Sequence, residues 1–333
     1  MKWIDLHCDT LSTIMKEVRA VMEDSGGRLQ KNDLCVDIGR LKDAGAAAQF
    51  FACYVNAADF CHGAAVRRTG ELWDRAYQKA LSMTACATDA QDEWFGIARS
   101  AEDILNMEKD SRVAGVLTVE EGGVLNGMSE RLEELYDNGV RLITLTWNYE
   151  NCIGSPNSRD PHLMQRGLTP FGVQVVERMN TLGMIVDVSH LSDGGFWDCI
   201  RYSKKPIIAS HSNARALCSH PRNLSDEMLR SLGDRGGVAG VNFYGSFLRP
   251  DGRADITDIV LHLRHMIDRA GEDAVALGTD FDGFDRDSLP DGIRGVQDMA
   301  LLWDAMKRAG FTERQIEKAA YKNVMRVLKK CIG

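Results

Sequence analysis

The sequence predicts an α/β fold, a closed (β/α)8 TIM barrel, on three observations. Short apolar runs alternate with longer amphipathic stretches along the whole chain, there are eight such runs, and five of them end in His, Asp or Glu. Strands alternating with helices imply βαβ units and a parallel sheet. Eight strands favour closure over an open doubly wound sheet, and no GxGxxG follows the first run to support a dinucleotide fold. The 333 residues suit one such barrel as a single domain over 1–333, and no repeat, low-complexity tract or linker divides them.

The eight runs lie at 2–8, 48–55, 113–120, 141–147, 184–190, 206–211, 237–243 and 274–280, each rich in β-branched or small apolar residues. Helical spacing marks 172–182, where Val173, Val176 and Met179 recur and Gly183 supplies a stop. Residues 225–232 open on Ser225-Asp226-Glu227, an N-cap pattern, and 256–270 and 315–328 are amphipathic.

Composition narrows the function. A net charge of −8 gives no attraction to nucleic acid or anionic lipid. No stretch approaches the roughly 18 apolar residues of a membrane span. Asp5 and His7 stand where a signal peptide needs its apolar core. The nine cysteines are scattered, without a CxxC, and read as reduced thiols of a cytoplasmic protein.

Parallel barrels place function at the C-terminal ends of strands. Those ends read His7-Cys8-Asp9, Glu120-Glu121-Gly122-Gly123, Trp147-Asn148, His190, His211 and Thr279-Asp280. His7 and Asp9, two apart, face one side of a strand and can chelate one ion. His190 and His211, from adjacent strands, suit a second borderline ion such as zinc. A carboxylate between the pairs can bridge two ions, and Glu121 is the candidate. No Lys ends a strand, so a carbamylated lysine bridge is not needed.

Each residue also has a plainer explanation. A lone His is usually a hydrogen-bonded structural residue, Asp9 could cap the next helix, and Glu120 and Glu121 could be a solvated pair. Asp5 shares the His7 face and reads as a supporting or structural residue. His62, His162, His220, His262 and His265 read as surface residues, and Cys8 and Cys53 as structural. What favours a site is the convergence of five endings on one barrel mouth.

At these residues the chain resembles the membrane dipeptidase family, peptidase family M19. The matching blocks include Asp5-Leu-His-Cys-Asp9, Glu121-Gly-Gly123, Thr144-Leu-Thr146, Gly167-Leu-Thr-Pro-Phe-Gly172 and Asp187-Val-Ser-His190. They continue with Ser210-His-Ser212, His220-Pro-Arg-Asn223, Val241-Asn-Phe-Tyr244 and Gly278-Thr-Asp-Phe-Asp-Gly283. The resemblance implies a metal-dependent hydrolase barrel that binds two Zn²⁺ ions and cleaves dipeptides through a metal-bridging hydroxide. It puts His7 and Asp9 on one zinc, His190 and His211 on the other, and Glu121 between them. It makes Asp280 the proton carrier and places Arg222, Asp280 and Tyr54 against the substrate. Well-known members carry a substrate-contacting His after Thr144-Leu-Thr146, where this chain has Trp147, followed by Asn148 and Asn151. Members outside the cell sit on a lipid anchor; lacking a signal peptide and an apolar tail, this chain resembles the soluble bacterial branch. Its assembly, monomer or homodimer, stays open. The alternatives are another two-metal barrel hydrolase, acting on cyclic amides or phosphoesters, or an inactive barrel used as a binding scaffold.

Overall fold

A computed structural model describes residues 1–18, 25–60 and 70–333. Its strands are β1 Trp3–Cys8, β2 Ala46–Tyr54, β3 Phe95–Ile97, β4 Val113–Glu120, β5 Val140–Thr144, β6 Ile185–Asp187, β7 Ile208–Ala209, β8 Val238–Val241 and β9 Val275–Leu277. Eight of them pair in parallel around a closed ring, β1–β2–β4–β5–β6–β7–β8–β9 and back to β1. These are the eight runs read from the sequence, most of them shorter than expected. The ninth, β3, pairs only with the first residues of β4, from Phe95 opposite Val113 to Ile97 opposite Gly115, before β5 takes up pairing at Leu117. Three residues show no alternation, which is why β3 was not anticipated.

Side-chain alternation divides the core. On β4, Ala114 and Val116 join a cluster with Phe50, Leu142, Ile185 and Ile208, whereas Val113, Leu117 and Val119 join the larger cluster packed against helices. The first set shares its parity with Glu120, so the inner face of β4 ends in that carboxylate. Val324 and Leu328 of the helix Asn323–Cys331 extend the inner cluster.

The helix signals hold with one change. Thr169 caps Pro170–Leu182, with Pro170 in its first turn and Gly183 at φ 84 ending it. Ser225 caps Asp226–Asp234, and Ile256–Ala270 forms as expected. The stretch 315–328 is not one regular helix: Glu313–Glu317 and Asn323–Cys331 are joined through a π-helical turn, Lys318–Lys322. No helix among the described residues is long and apolar enough to cross a membrane.

Two local features aim the strand ends. Asp5 pairs with Gln49 and Cys8 with Phe51, three residues against two, so β1 carries a bulge beside His7. Simple alternation therefore fails between Asp5 and His7. At β8 and β9, Gly240 and Gly278 leave room for the Ser210 backbone: a Cβ would lie 2.1 and 1.7 Å from its carbonyl oxygen. Gly278→Ala should thus force apart β7, β8 and β9, lowering stability by at least about 2 kcal/mol in chemical unfolding of the metal-stripped protein.

Candidate metal centre

The strand ends bring three imidazoles within 3.5 Å of one carboxylate. Glu120, 3% exposed, has Oε1 3.1 Å from His190 Nε2 and 3.5 Å from His211 Nε2, and Oε2 3.4 Å from His7 Nε2. Asp9 Oδ2 lies 3.3 Å from His7 Nε2, and Asp280 Oδ1 lies 3.8 Å from it. Three overlapping ligand groups result: His7–Asp9–Glu120, His7–His211–Asp280 and Glu120–His190–His211.

The structure brings His7, Asp9, His190 and His211 together as expected, with one correction. Glu120, not Glu121, stands between the two pairs. Glu121 follows the inward-facing Glu120 with opposite parity and sits at φ 111, so its carboxylate turns away to accept from Gly123 N at 2.8 Å and Asn151 Nδ2 at 2.6 Å. It ties down the loop that carries Trp147 and Asn148.

Electrostatics follows from crowding. Burial opposes charge on Glu120, but the charge of His7 beside it outweighs burial and holds the carboxyl well below the usual range. Burial likewise opposes charge on His7, yet Glu120 and Asp9 hold it well above the ordinary histidine value. His190 is pushed down to about 4 and His211 well below its usual value, by burial first and then by nearby positive groups. Asp280 is pushed up to about 7: burial and the charges of Asp9 and Glu120 outweigh His7 and the hydrogen bond from Asn242.

Orphaned atoms make the fit to a metal specific. His7 Nδ1 and Asp9 Oδ1 are buried without a hydrogen-bond partner. His190 Nε2 and His211 Nε2 face each other at 3.0 Å beside a carboxylate oxygen, and His190 Nδ1 lies 3.0 Å from Asn148 Oδ1. Neutral imidazoles whose lone pairs converge on a carboxylate are a mixed N/O donor set of the kind divalent cations, zinc among them, accept. The residues present fit such ions.

Above this cluster is a cavity of about 340 Å³, lined among others by Tyr54, Trp147, Asn148, Arg222, Tyr244 and Asp280. The Trp147 ring lies 5.0 Å from Tyr54 and 6.2 Å from His190. Arg222, 6% exposed, donates to Ser212 Oγ at 3.3 Å and to the His211 carbonyl at 3.2 Å, while its Nε has no partner. It does not pair with Asp226, which instead binds His265 at 2.7 Å and Arg269 at 3.1 Å.

Other histidines and acids divide cleanly. Asp5 is structural: it accepts from Gln49 Nε2, Thr279 N and Thr279 Oγ1 and so anchors the segment before Asp280. His162 is exposed, whereas His220 and His265 are partly covered. His262 is not a surface residue; it is 1% exposed, between Ala214 N and the Leu248 carbonyl. His62 lies outside the described residues. Missed from sequence were Asn242, which donates to Asp280 Oδ2 at 2.8 Å, and Asn148 as a partner of His190. Both sit in or beside blocks already singled out, so adjacency to a ligand strand was the available signal.

A family model described as membrane dipeptidase (peptidase family M19) matches residues 1–332. An uncharacterised dipeptidase of Schizosaccharomyces pombe is 34% identical over 315 residues, covering 88% of this chain and 71% of its own. The crystal structure of dipeptidase AC, an M19 metallopeptidase, superposes with a TM-score of 0.88 at 30% identity over 100% of this chain and 99% of that one. A metallopeptidase from Rhodobacter sphaeroides, liganded with a phosphinate mimic of the dipeptide L-Ala-D-Ala, gives 0.86 at 28% identity over 99% of both chains. With the barrel, the clustered ligands and a match over nearly every residue, the chain belongs to the membrane dipeptidase family, peptidase family M19, and is a hydrolase of the metallo-dipeptidase kind.

Proposed function

We propose that the chain is a dinuclear zinc dipeptidase, with His7 and Asp9 holding one ion, His190 and His211 the other, and Glu120 shared between them. The observation that carries this reading is the Glu120 carboxylate, within 3.5 Å of three imidazole nitrogens beneath a small cavity. The dipeptide mimic held by the Rhodobacter sphaeroides relative supports the substrate class.

Bound there, two divalent ions supply Lewis acidity toward a scissile carbonyl and activate water near neutral pH. The protein supplies the rest. Asn242 holds Asp280 Oδ2, leaving Oδ1 directed toward His7 and the cavity. That carboxylate can take a proton from the attacking water and return it to the leaving amine. Arg222 meets the substrate's terminal carboxylate: a guanidinium matches that group with two parallel hydrogen bonds, and its buried Nε is a donor in need of an acceptor. Tyr54 and Trp147, in contact with each other, also line the cavity, and the Trp147 indole narrows it toward small side chains.

Four measurements test this. Chelator-treated protein should lose hydrolysis across a dipeptide panel and regain it with Zn²⁺, with elemental analysis giving about two ions per chain; full activity without metal would overturn the proposal. Glu120→Gln should weaken both ions, whereas Glu121→Gln should leave metal content intact. Asp280→Asn should lower kcat by roughly 10²–10⁴ with zinc retained; loss of zinc would make it a ligand instead. Wild type should cleave a dipeptide far better than its C-terminal amide, and Arg222→Met should erase most of that difference, about 2–5 kcal/mol in kcat/KM, at unchanged metal content.

A further inference from the structure

Behind His211 lies a buried polar chain that the reaction does not use directly. Asp187, fully buried, accepts four hydrogen bonds: Ser189 N at 2.9 Å and Ser210 N at 2.8 Å on Oδ1, Thr144 Oγ1 and Ser210 Oγ, both at 2.6 Å, on Oδ2. Ser210 Oγ is also 2.7 Å from His211 Nδ1. Ser189 Oγ, 3.2 Å from Ser210 Oγ, accepts from the His211 amide at 3.0 Å.

Counting protons settles the direction of this chain. An ionised carboxylate only accepts, and a serine hydroxyl has one hydrogen to give. With that hydrogen committed to Asp187, Ser210 Oγ can only accept from His211. His211 Nδ1 must then carry the imidazole proton, which leaves the Nε2 lone pair facing Glu120 and His190.

We infer that Asp187, acting through the Ser210 hydroxyl, is a positioning device that sets the His211 tautomer and thereby the affinity of the metal position His211 shares with His190. The inference rests on the proposed two-metal reading for its consequence. Its geometry stands apart from that reading. A hydroxyl already donating to a carboxylate is a better acceptor, so the relay also makes Nε2 the more basic ligand atom. Thr144 donates to the same carboxylate oxygen without touching His211, and so separates the relay from mere satisfaction of Asp187.

The test uses the full chain and two readouts independent of turnover. With ¹⁵N-labelled histidine, metal-free wild type should show His211 protonated at Nδ1 and bare at Nε2. In zinc titrations against a chromophoric chelator, Ser210→Ala should weaken one of two equivalents by about 10–100-fold, and Thr144→Val should leave both within about twofold. Wild-type His211 protonated at Nε2 overturns the inference, as does Ser210→Ala with both affinities unchanged or Thr144→Val with the same loss. If Ser210→Ala does not fold, the wild-type tautomer decides alone. Wild type that binds no zinc but shows the Nδ1 proton overturns the two-metal reading and the affinity claim, while the tautomer assignment stands.

Discussion

The structure depends on keeping one carboxylate, Glu120, buried and ionised. Taking such a group out of water is costly unless positive charge or hydrogen bonds surround it. Charged His7 does this at 3.4 Å, and a cation held between Glu120 and the bare Nε2 atoms of His190 and His211 would do the rest; the three imidazoles, at 3.1–3.5 Å, come from three separate strand ends. No short sequence element could assemble them. A closed parallel barrel can, because every strand delivers its last residues to the same rim. Fold and site are therefore two aspects of one constraint.

The rim is not formed by regular strands alone. His190, Asp280, Asp282 and Glu121 all have positive φ, at 67°, 61°, 66° and 111°. Such conformations cost of order 1–3 kcal/mol each outside glycine and persist only where neighbours over-determine them. Neighbours here do. Asp282 takes hydrogen bonds from Thr10 Oγ1 at 2.6 Å and Cys35 N at 2.8 Å, and Asp280 N donates to the His7 carbonyl at 3.1 Å. With the bulge in β1, these turns swing side chains off the strand direction and over the barrel mouth.

That geometry explains what the sequence could and could not reveal. The barrel was legible because β-rich runs and helical periodicity alternate without interruption, and the ligand strands because His and Asp are rare at the ends of apolar runs. The sharing carboxylate was misplaced by one residue. Alternation along 113–120 already put 114, 116, 118 and 120 on one face, but the glycines after Glu121 drew attention to the wrong acid of the pair. His262 looked exposed because a polar residue in an amphipathic helix is usually so; burial between Ala214 N and the Leu248 carbonyl depends on contacts far away in sequence. Asp187, Asn148 and Asn242 were invisible as partners for the same reason: a hydrogen bond to a ligand leaves no local pattern.

The charge balance of the cavity ties these parts to the substrate. Asp9, Glu120, Asp280 and Asp282 all line it, and among the described lining residues only Arg222 brings a guanidinium. Four acids around a cavity of about 340 Å³ would repel the carboxylate end of a dipeptide. On the proposed two-metal reading, two attractions would act on one small molecule: cations held by the acids, and Arg222. Arg222 is itself expensive to bury, and its pKa is pulled down to about 10 by desolvation against the attraction of Asp280 and Glu120. A substrate carboxylate would relieve that cost while bringing the neighbouring peptide bond down toward Glu120. On the proposed reading, the separation between Arg222 and Glu120 would act as a length rule, admitting a substrate whose carboxylate lies one residue beyond the scissile bond.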